Sequence, residues 1–153
     1  MGKVIGGAMV FLIALAHGMV FALACVDKIL TGLPPWFAEA IDRTFLVNLP
    51  GGALLQFYGI LVLEASIALG CTISILRMEF LFKSQCLFLK ISLLLSMFTF
   101  VVLGTGQRIF AQWGGDAAGF QGASNSFTCF GVSLLCLLMV QKYRPIIDTK
   151  ITN

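Results

Sequence analysis

The sequence predicts an all-α membrane protein, a single domain of four transmembrane helices in one bundle, with a short interfacial helix in the first outer loop. Of its 153 residues, 59% are hydrophobic and only 11% are charged, and the mean hydropathy is +0.98. A soluble domain carries about 25% charged residues. A membrane-spanning helix needs about 20 mostly apolar residues, and four stretches meet this requirement: 4–26, 53–76, 86–105 and 125–142.

The first span follows Lys3, and its apolar run resembles the start of a secretory signal. The run is longer than the roughly 7 to 15 apolar residues of such a signal. We therefore expect residues 4–26 to be retained as a helix rather than cleaved.

Two ladders of small residues, each spaced at intervals of four, are candidates for close helix packing. Small residues let two membrane helices approach each other closely, and packing within the bundle is the interpretation that we favour. The first span contains Ala14, Gly18 and Ala22, and the second contains Ser66, Gly70 and Ser74.

The connection from Asp27 to Gly52 predicts a short helix on the membrane surface. The helix begins at Pro34 and Pro35, and proline is favourable in the first turn of a helix. Apolar and charged side chains then occupy opposite sides at helical spacing. The apolar side has Trp36, Phe37, Ala40 and Ile41, and the charged side has Glu39, Asp42 and Arg43. We expect Trp36 and Phe37 to lie at the membrane interface or to face a partner.

The second span carries Glu64 at its centre. A charged side chain at the bilayer centre costs about 3 kcal/mol on insertion scales, so this carboxylate needs a partner, a proton or a function. Counting about 1.5 Å per residue from the middle of each span places His17 at nearly the same depth and Lys90 lower. We therefore predict an intramembrane polar contact of Glu64 with His17 or Lys90. A structural tie between helices is the interpretation that we favour, and proton transfer or ligand contact stays open.

His17 is the only histidine, which excludes a haem held by two histidines of this chain. It is a candidate for one axial ligand of a haem or a chlorophyll-type pigment, but we favour a neutral histidine that is hydrogen-bonded within the bundle. The five cysteines show no C-x-x-C motif and no metal-ligand spacing. We predict no metal site and free, buried thiols, with a bridge between Cys25 and Cys129 as the alternative.

The segment GQRIFAQWGGDAAGFQGAS separates the third and fourth spans. It is rich in glycine and still aromatic, so we expect a structured outer loop. Its aromatic residues, Phe110, Trp113 and Phe120, are expected to lie at the interface or against a partner.

The basic residues predict the orientation, because cytoplasmic loops carry an excess of lysine and arginine. Four crossings place seven basic residues on the side of the termini and three on the other side. The seven are Lys3, Arg77, Lys83, Lys90, Lys142, Arg144 and Lys150, and the three are Lys28, Arg43 and Arg108. We expect both termini in the cytoplasm or its topological equivalent, in a bacterial inner membrane or a mitochondrial inner membrane.

Motifs that would indicate catalysis are missing from the sequence. We find no zinc motif, phosphate loop or nucleophile motif, and no internal repeat of the kind that marks many transporters. We therefore expect a protein that is not an enzyme.

The order of these features resembles a bacterial family of small four-helix integral membrane proteins of unknown function. The likeness lies in DRTF at the end of the outer segment, in FYGILVLEASIAL with its central glutamate, and in FAQWGGDAAGFQGA after the third span. Gln107 and Arg108 depart from that pattern, which has an acidic and an aromatic residue there. ACVDKILTG followed by the glutamate-bearing helix is also similar to the DoxX-like family, some members of which are linked to quinone oxidoreductases. Both resemblances imply four membrane helices.

We expect a non-catalytic accessory subunit of a larger membrane complex, such as a respiratory or photosynthetic one. The expectation rests on the missing motifs, on 14 phenylalanines and on the aromatic outer segments. Other membrane subunits and lipid are the expected partners, with no nucleic acid, no resident cofactor and some bound lipid. The alternative is a redox protein in which His17 and Glu64 hold a haem, quinone or pigment. A small transporter is third.

Overall fold

The computed structural model describes residues 2–82, 86–113 and 118–143, and in these ranges it contains helices joined by short turns and no strands. Four helices are long and apolar enough to cross a membrane, which confirms the predicted all-α four-helix membrane fold. They are α1 (Gly2–Thr31), α3 (Gly52–Leu76), α5 (Leu87–Trp113) and α6 (Ala118–Lys142). The shorter elements are α2 (Pro35–Asp42), a 3₁₀ turn (Phe45–Asn48) and α4 (Glu79–Phe82).

The helix α2 lies where the proline pair and the amphipathic pattern predicted it. Pro35 occupies its first turn, where the missing N–H of proline costs no hydrogen bond. Its Ile41 is fully buried, whereas Trp36 is exposed. The helix therefore packs its second turn onto the bundle and presents Trp36 to the surroundings.

Most of the segment predicted to be an outer loop between the third and fourth spans is helical, so this prediction is wrong. The helix α5 continues to Trp113 and α6 already begins at Ala118, so only residues 114–117 lie outside the described part of this segment. Gly119 and Gly122 of this segment serve close packing between α5 and α6 instead. A Cβ atom at Gly119 would lie 2.6 Å from the carbonyl oxygen of Gln107.

Neighbouring membrane helices are antiparallel and touch through small residues. Gly18 of α1 lies beside Cys71 of α3, and Gly104 of α5 lies beside Ser126 of α6. Gly70 of α3 lies beside Ser92 of α5. Lipid provides no hydrophobic force between membrane helices, so these close backbone approaches are the main source of packing energy.

Each small-residue ladder packs inside the bundle over only part of its length. On α1, Ala14 is buried and Gly18 touches α3, but Ala22 is exposed. On α3, Gly70 touches α5 and Ser74 is buried, but Ser66 is exposed. The hydroxyl of Ser66 donates to the carbonyl of Val62 in its own helix.

The start of α1, the short helix α4 and the end of α6 meet at one end of the bundle, which we call the termini end. The ring of Tyr143 lies against Gly6, and its hydroxyl donates a hydrogen bond to the carbonyl of Phe80. The opposite end, which carries α2, is called the α2 end.

A buried carboxylate organises the termini end. Glu79 is 1% exposed, accepts a 2.8 Å hydrogen bond from the hydroxyl of Ser74, and lies 3.5 Å from the backbone N–H groups of Phe88 and Leu89. Those N–H groups belong to the first turn of α5, which has no helical acceptors for them and favours a negative charge. Glu79 therefore caps α5 and ties it to α3.

We predict that Gly119→Ala destabilises the protein, because the added methyl group meets a backbone oxygen that has little room to move. Overpacking of this kind costs about 1–3 kcal/mol. Denaturation of the protein in detergent micelles measures the effect. Gly131→Ala is the matched control on the same helix, since a Cβ there would meet no atom within 4 Å. Equal stability of the two variants would contradict the packing described for α5 and α6.

Candidate intramembrane ion pair and ligand cavity

The carboxylate at the centre of the second span pairs with a lysine of the first. Nζ of Lys28 on α1 lies 2.9 Å from Oε1 of Glu64 on α3. The predicted contact of Glu64 with His17 or Lys90 is therefore wrong. The sequence reading ended the first span at residue 26, whereas α1 continues to Thr31 and brings Lys28 into the bundle.

The register between α1 and α3 explains why the depth estimate failed. Gly18 lies beside Cys71, and the thiol of Cys25 reaches the carbonyl of Leu61 at 3.8 Å. Glu64 is therefore level with the last third of α1, about 10 Å along the axis from His17 at 1.5 Å per residue. Counting from span midpoints assumed that the two helices are centred at the same depth.

Glu64 is deeply buried, Lys28 is partly exposed, and only one oxygen of the carboxylate has a partner among the described residues. The side chain of Glu64 is 4% exposed and that of Lys28 is 26% exposed. Among the described residues, Oε2 of Glu64 has no hydrogen-bond partner. An ion in a low-dielectric site is costly unless its charge is compensated, so Lys28 supplies the compensation that makes Glu64 tolerable at this position.

His17 belongs to a separate polar chain that links three helices. Its Nδ1 lies 3.1 Å from the carbonyl of Ile13 and its Nε2 lies 3.3 Å from Oγ of Ser133. A carbonyl only accepts, so Nδ1 carries the proton and Nε2 accepts from Ser133. Ser133 in turn lies 3.2 Å from Oγ of Ser96. Axial ligation of a haem or pigment by His17 would require Nε2 to release Ser133.

Lys90 lies in the first turn of α5, where its backbone N–H donates to the carbonyl of Cys86. Its position near the termini end separates it from the Lys28–Glu64 pair. The three residues of the predicted polar contact thus belong to three different environments.

The aromatic residues predicted to lie at the interface or against a partner divide into buried and exposed ones. Phe110 is only 9% exposed, and its ring packs edge-on against Phe37 of α2 at 6.1 Å between centroids. Phe37 also packs against Phe57 of α3 at 6.0 Å. The prediction that Phe110 lies against a partner is therefore wrong, because this ring and Phe37 pack together and anchor α2 to the bundle. The exposed members of the predicted set are Trp36, Trp113 and Phe120.

A cavity of about 490 Å³ lies at the α2 end, between α3, α5 and the start of α6, with α2 beside it. Its volume falls within the roughly 300–1,000 Å³ of ligand pockets. Its walls are mainly aromatic and aliphatic, and they include Trp36, Phe37, Leu63, Phe98, Val102 and Phe110. Among the residues that the structure describes, no charged residue lines it, and Gln56 and Gln107 are the only amide side chains in its wall.

Each of these two amide groups uses one polar atom in a hydrogen bond within the protein and leaves its other polar atom available. Nε2 of Gln56 donates to the carbonyl of Leu46 at 3.2 Å, and Oε1 of Gln107 accepts from the hydroxyl of Ser126 at 2.9 Å. Among the described residues, Oε1 of Gln56 and Nε2 of Gln107 have no hydrogen-bond partner. The cavity wall therefore offers one acceptor and one donor.

Two glycines in the cavity wall have no packing role. A Cβ atom at Gly59 or at Gly106 would meet no atom within 4 Å, whereas one at Gly119 or Gly122 would come within 3 Å of Gln107. Glycine inside a helix costs about 1 kcal/mol relative to alanine. At Gly59 and Gly106 the missing side chain leaves open space and does not bring two helices closer together.

The remaining reactive groups give no support for covalent chemistry. All five cysteines are free, and Cys129 is exposed while Cys25 is buried. Burial, with a smaller contribution from the Glu79 carboxylate, raises the pKa of the Cys86 thiol to about 11, so this thiol stays protonated at neutral pH. In the described part of the chain, no group of three His, Cys, Asp or Glu side chains is placed to hold a metal.

Several residues of these sites were missed by the sequence reading. Lys28 was counted only as a topology charge, and Gln107 was noted only as a departure from a family pattern. Gln56 and Gln107 are polar residues at or near the ends of apolar spans, which is a signal for function or pairing in membrane proteins. Glu79 lies between the second and third predicted spans, in a segment for which the sequence predicts only a connection.

No family model, no curated protein and no solved structure matches this chain.

We predict that Lys28→Met destabilises the protein by about 3 kcal/mol or more, because it leaves a buried carboxylate without compensation. Glu64→Gln removes the charge but keeps the shape, so the double variant Lys28→Met/Glu64→Gln is expected to recover most of the loss. Denaturation in micelles measures all three proteins. Additive effects of the two substitutions would show that the residues do not interact.

Proposed function

We propose that this chain is an integral membrane protein that binds one lipid-soluble molecule in the cavity at the α2 end and does not transform it. The observation that carries this proposal is an apolar cavity of about 490 Å³ whose volume is kept open by Gly59 and Gly106. The proposal agrees with the bound lipid expected from the sequence.

The size and the apolar walls of the cavity support an occupant. Protein interiors contain few voids larger than a water molecule, so a space of about 490 Å³ between packed helices is unusual. The space is partly open to the surroundings, so a lipid-soluble molecule can enter it from the membrane. Apolar walls exclude water as the filling, so a molecule from the membrane is the natural occupant.

The chemistry of the wall supports binding over catalysis. In the described ranges 2–82, 86–113 and 118–143, no titratable side chain lines the cavity, and general acid–base or nucleophilic catalysis needs such a group within hydrogen-bond reach of the reacting atoms. The alternative redox function receives less support, because Glu64 is engaged by Lys28 and His17 by Ser133.

We predict that Gly106→Leu abolishes binding, because Gly106 lines the cavity and a Cβ atom there would meet no atom within 4 Å, which leaves space for a larger side chain. Native mass spectrometry of protein released gently from its own membrane is expected to show one additional bound mass. The variant is expected to lack this mass and to be at least as stable as the parent chain, because it fills open volume.

Gly131→Leu is the matched control for this experiment. Gly131 also has no atom within 4 Å of its Cβ position, but it is not part of the cavity wall. Its variant is expected to keep the bound mass. Retention of the same mass by Gly106→Leu, or its absence from the parent chain, would contradict the proposed function.

A role as an accessory subunit stays a prediction and is compatible with ligand binding. It is supported by an exposed aromatic group at the α2 end, where the rings of Phe45 and Trp113 pack edge-on at 5.8 Å and both remain more than half exposed. Purification in a mild detergent is expected to recover the chain with other subunits. Recovery only as a free monomer would contradict this role.

A further inference from the structure

We propose that the ligand is an uncharged amphipathic lipid whose head carries a hydroxyl group and a second hydrogen-bond acceptor. Its head lies between Gln56 and Gln107, and its apolar body extends along the cavity toward the middle of the bundle. This inference rests on the proposed function and names the class of molecule that the cavity takes.

The two amides define what the head must offer. Oε1 of Gln56 needs a donor, because Nε2 of the same amide is used by the carbonyl of Leu46. Nε2 of Gln107 needs an acceptor, because Oε1 is used by the hydroxyl of Ser126. A hydroxyl group beside an ester or ketone oxygen supplies both partners. A pure hydrocarbon supplies neither and leaves the two amide groups unpaired, which is costly in an apolar site.

The position of the amides along the helices defines the direction of the ligand. Gln56 lies in the second turn of α3, and the apolar wall residue Leu63 lies seven residues, or about 10 Å, deeper. Gln107 lies in the last third of α5, and Phe98 lies nine residues, or about 13 Å, deeper. The two amides thus lie toward the α2 end of the cavity, and the wall toward the bundle centre is apolar.

The electrostatics of the α2 end argue against an anionic head. No charged residue of the described part of the chain lines the cavity. The three basic residues of this end have other contacts: Lys28 pairs with Glu64, Arg43 lies 3.7 Å from Glu39, and Arg108 stacks over the ring of Phe120 at 4.4 Å. A carboxylate or phosphate would therefore enter an apolar site without a compensating charge, which is strongly unfavourable.

Three probes with chains of similar length test this assignment. They are 1-oleoylglycerol with a neutral hydroxyl and ester head, oleate at alkaline pH with an anionic head, and 1-octadecene with no head. Native mass spectrometry of the delipidated full chain in micelles measures their binding. We expect 1-oleoylglycerol to bind at least tenfold more tightly than either of the other two, since each satisfied amide contributes up to about tenfold.

The Gln107→Leu variant is expected to lower the affinity for 1-oleoylglycerol about tenfold and to leave that for 1-octadecene unchanged. Ser126→Ala is the matched control, because it removes the anchor of Gln107 but keeps the amide, and we expect it to retain the preference for the hydroxyl-bearing probe. Thermal denaturation verifies that both variants are folded. Equal binding of all three probes, or tighter binding of oleate, overturns this inference and leaves the proposed function standing. Binding of none of the probes contradicts both.

Discussion

The ion pair between Lys28 and Glu64 fixes the height at which α3 packs on α1, and the candidate site depends on that height. Glu64 lies level with the last third of α1, so the first turns of α3 extend to the end of α1 and beyond it. This part of α3 carries Gln56, Phe57 and Gly59 and is free to receive α2. Phe37 then packs on Phe57, and the space between α3 and α5 becomes a cavity that is partly open to the surroundings. Glu64, an intramembrane charge that resembles a functional group, thus has the structural role of setting the register between α1 and α3.

Glycine has two opposite uses in this bundle, and the difference defines the site. Gly119 and Gly122 bring α6 against α5, where any side chain would meet Gln107. Gly59 and Gly106 leave space that no neighbouring side chain enters. Membrane helices associate through close packing and hydrogen bonds because lipid is as apolar as their side chains. Close packing between helices would fill the space beside Gly59 and Gly106, so we infer that another molecule occupies it.

The features that depend on local pattern were predictable from the sequence, and those that depend on the register between helices were not. Hydropathy predicted the four spans, and the Pro34–Pro35 pair together with the amphipathic spacing of the residues after it predicted α2. The partner of Glu64 was missed because midpoint counting ignores the axial offset of α1 and α3. The segment around Gly119 was read as a loop because glycine marks both turns and close helix contacts. The cavity could not be predicted, since it arises from the distance between helices and from side chains that are missing at two glycines.

The central claim is that the cavity at the α2 end holds an amphipathic molecule from the membrane. The most direct measurement is an experimental density map of the full chain prepared without delipidation, at a resolution that shows side chains. The account predicts an elongated density that begins between Gln56 and Gln107 and runs toward Leu63 and Phe98. A map in which α3 and α5 close on each other and leave no such density would contradict it.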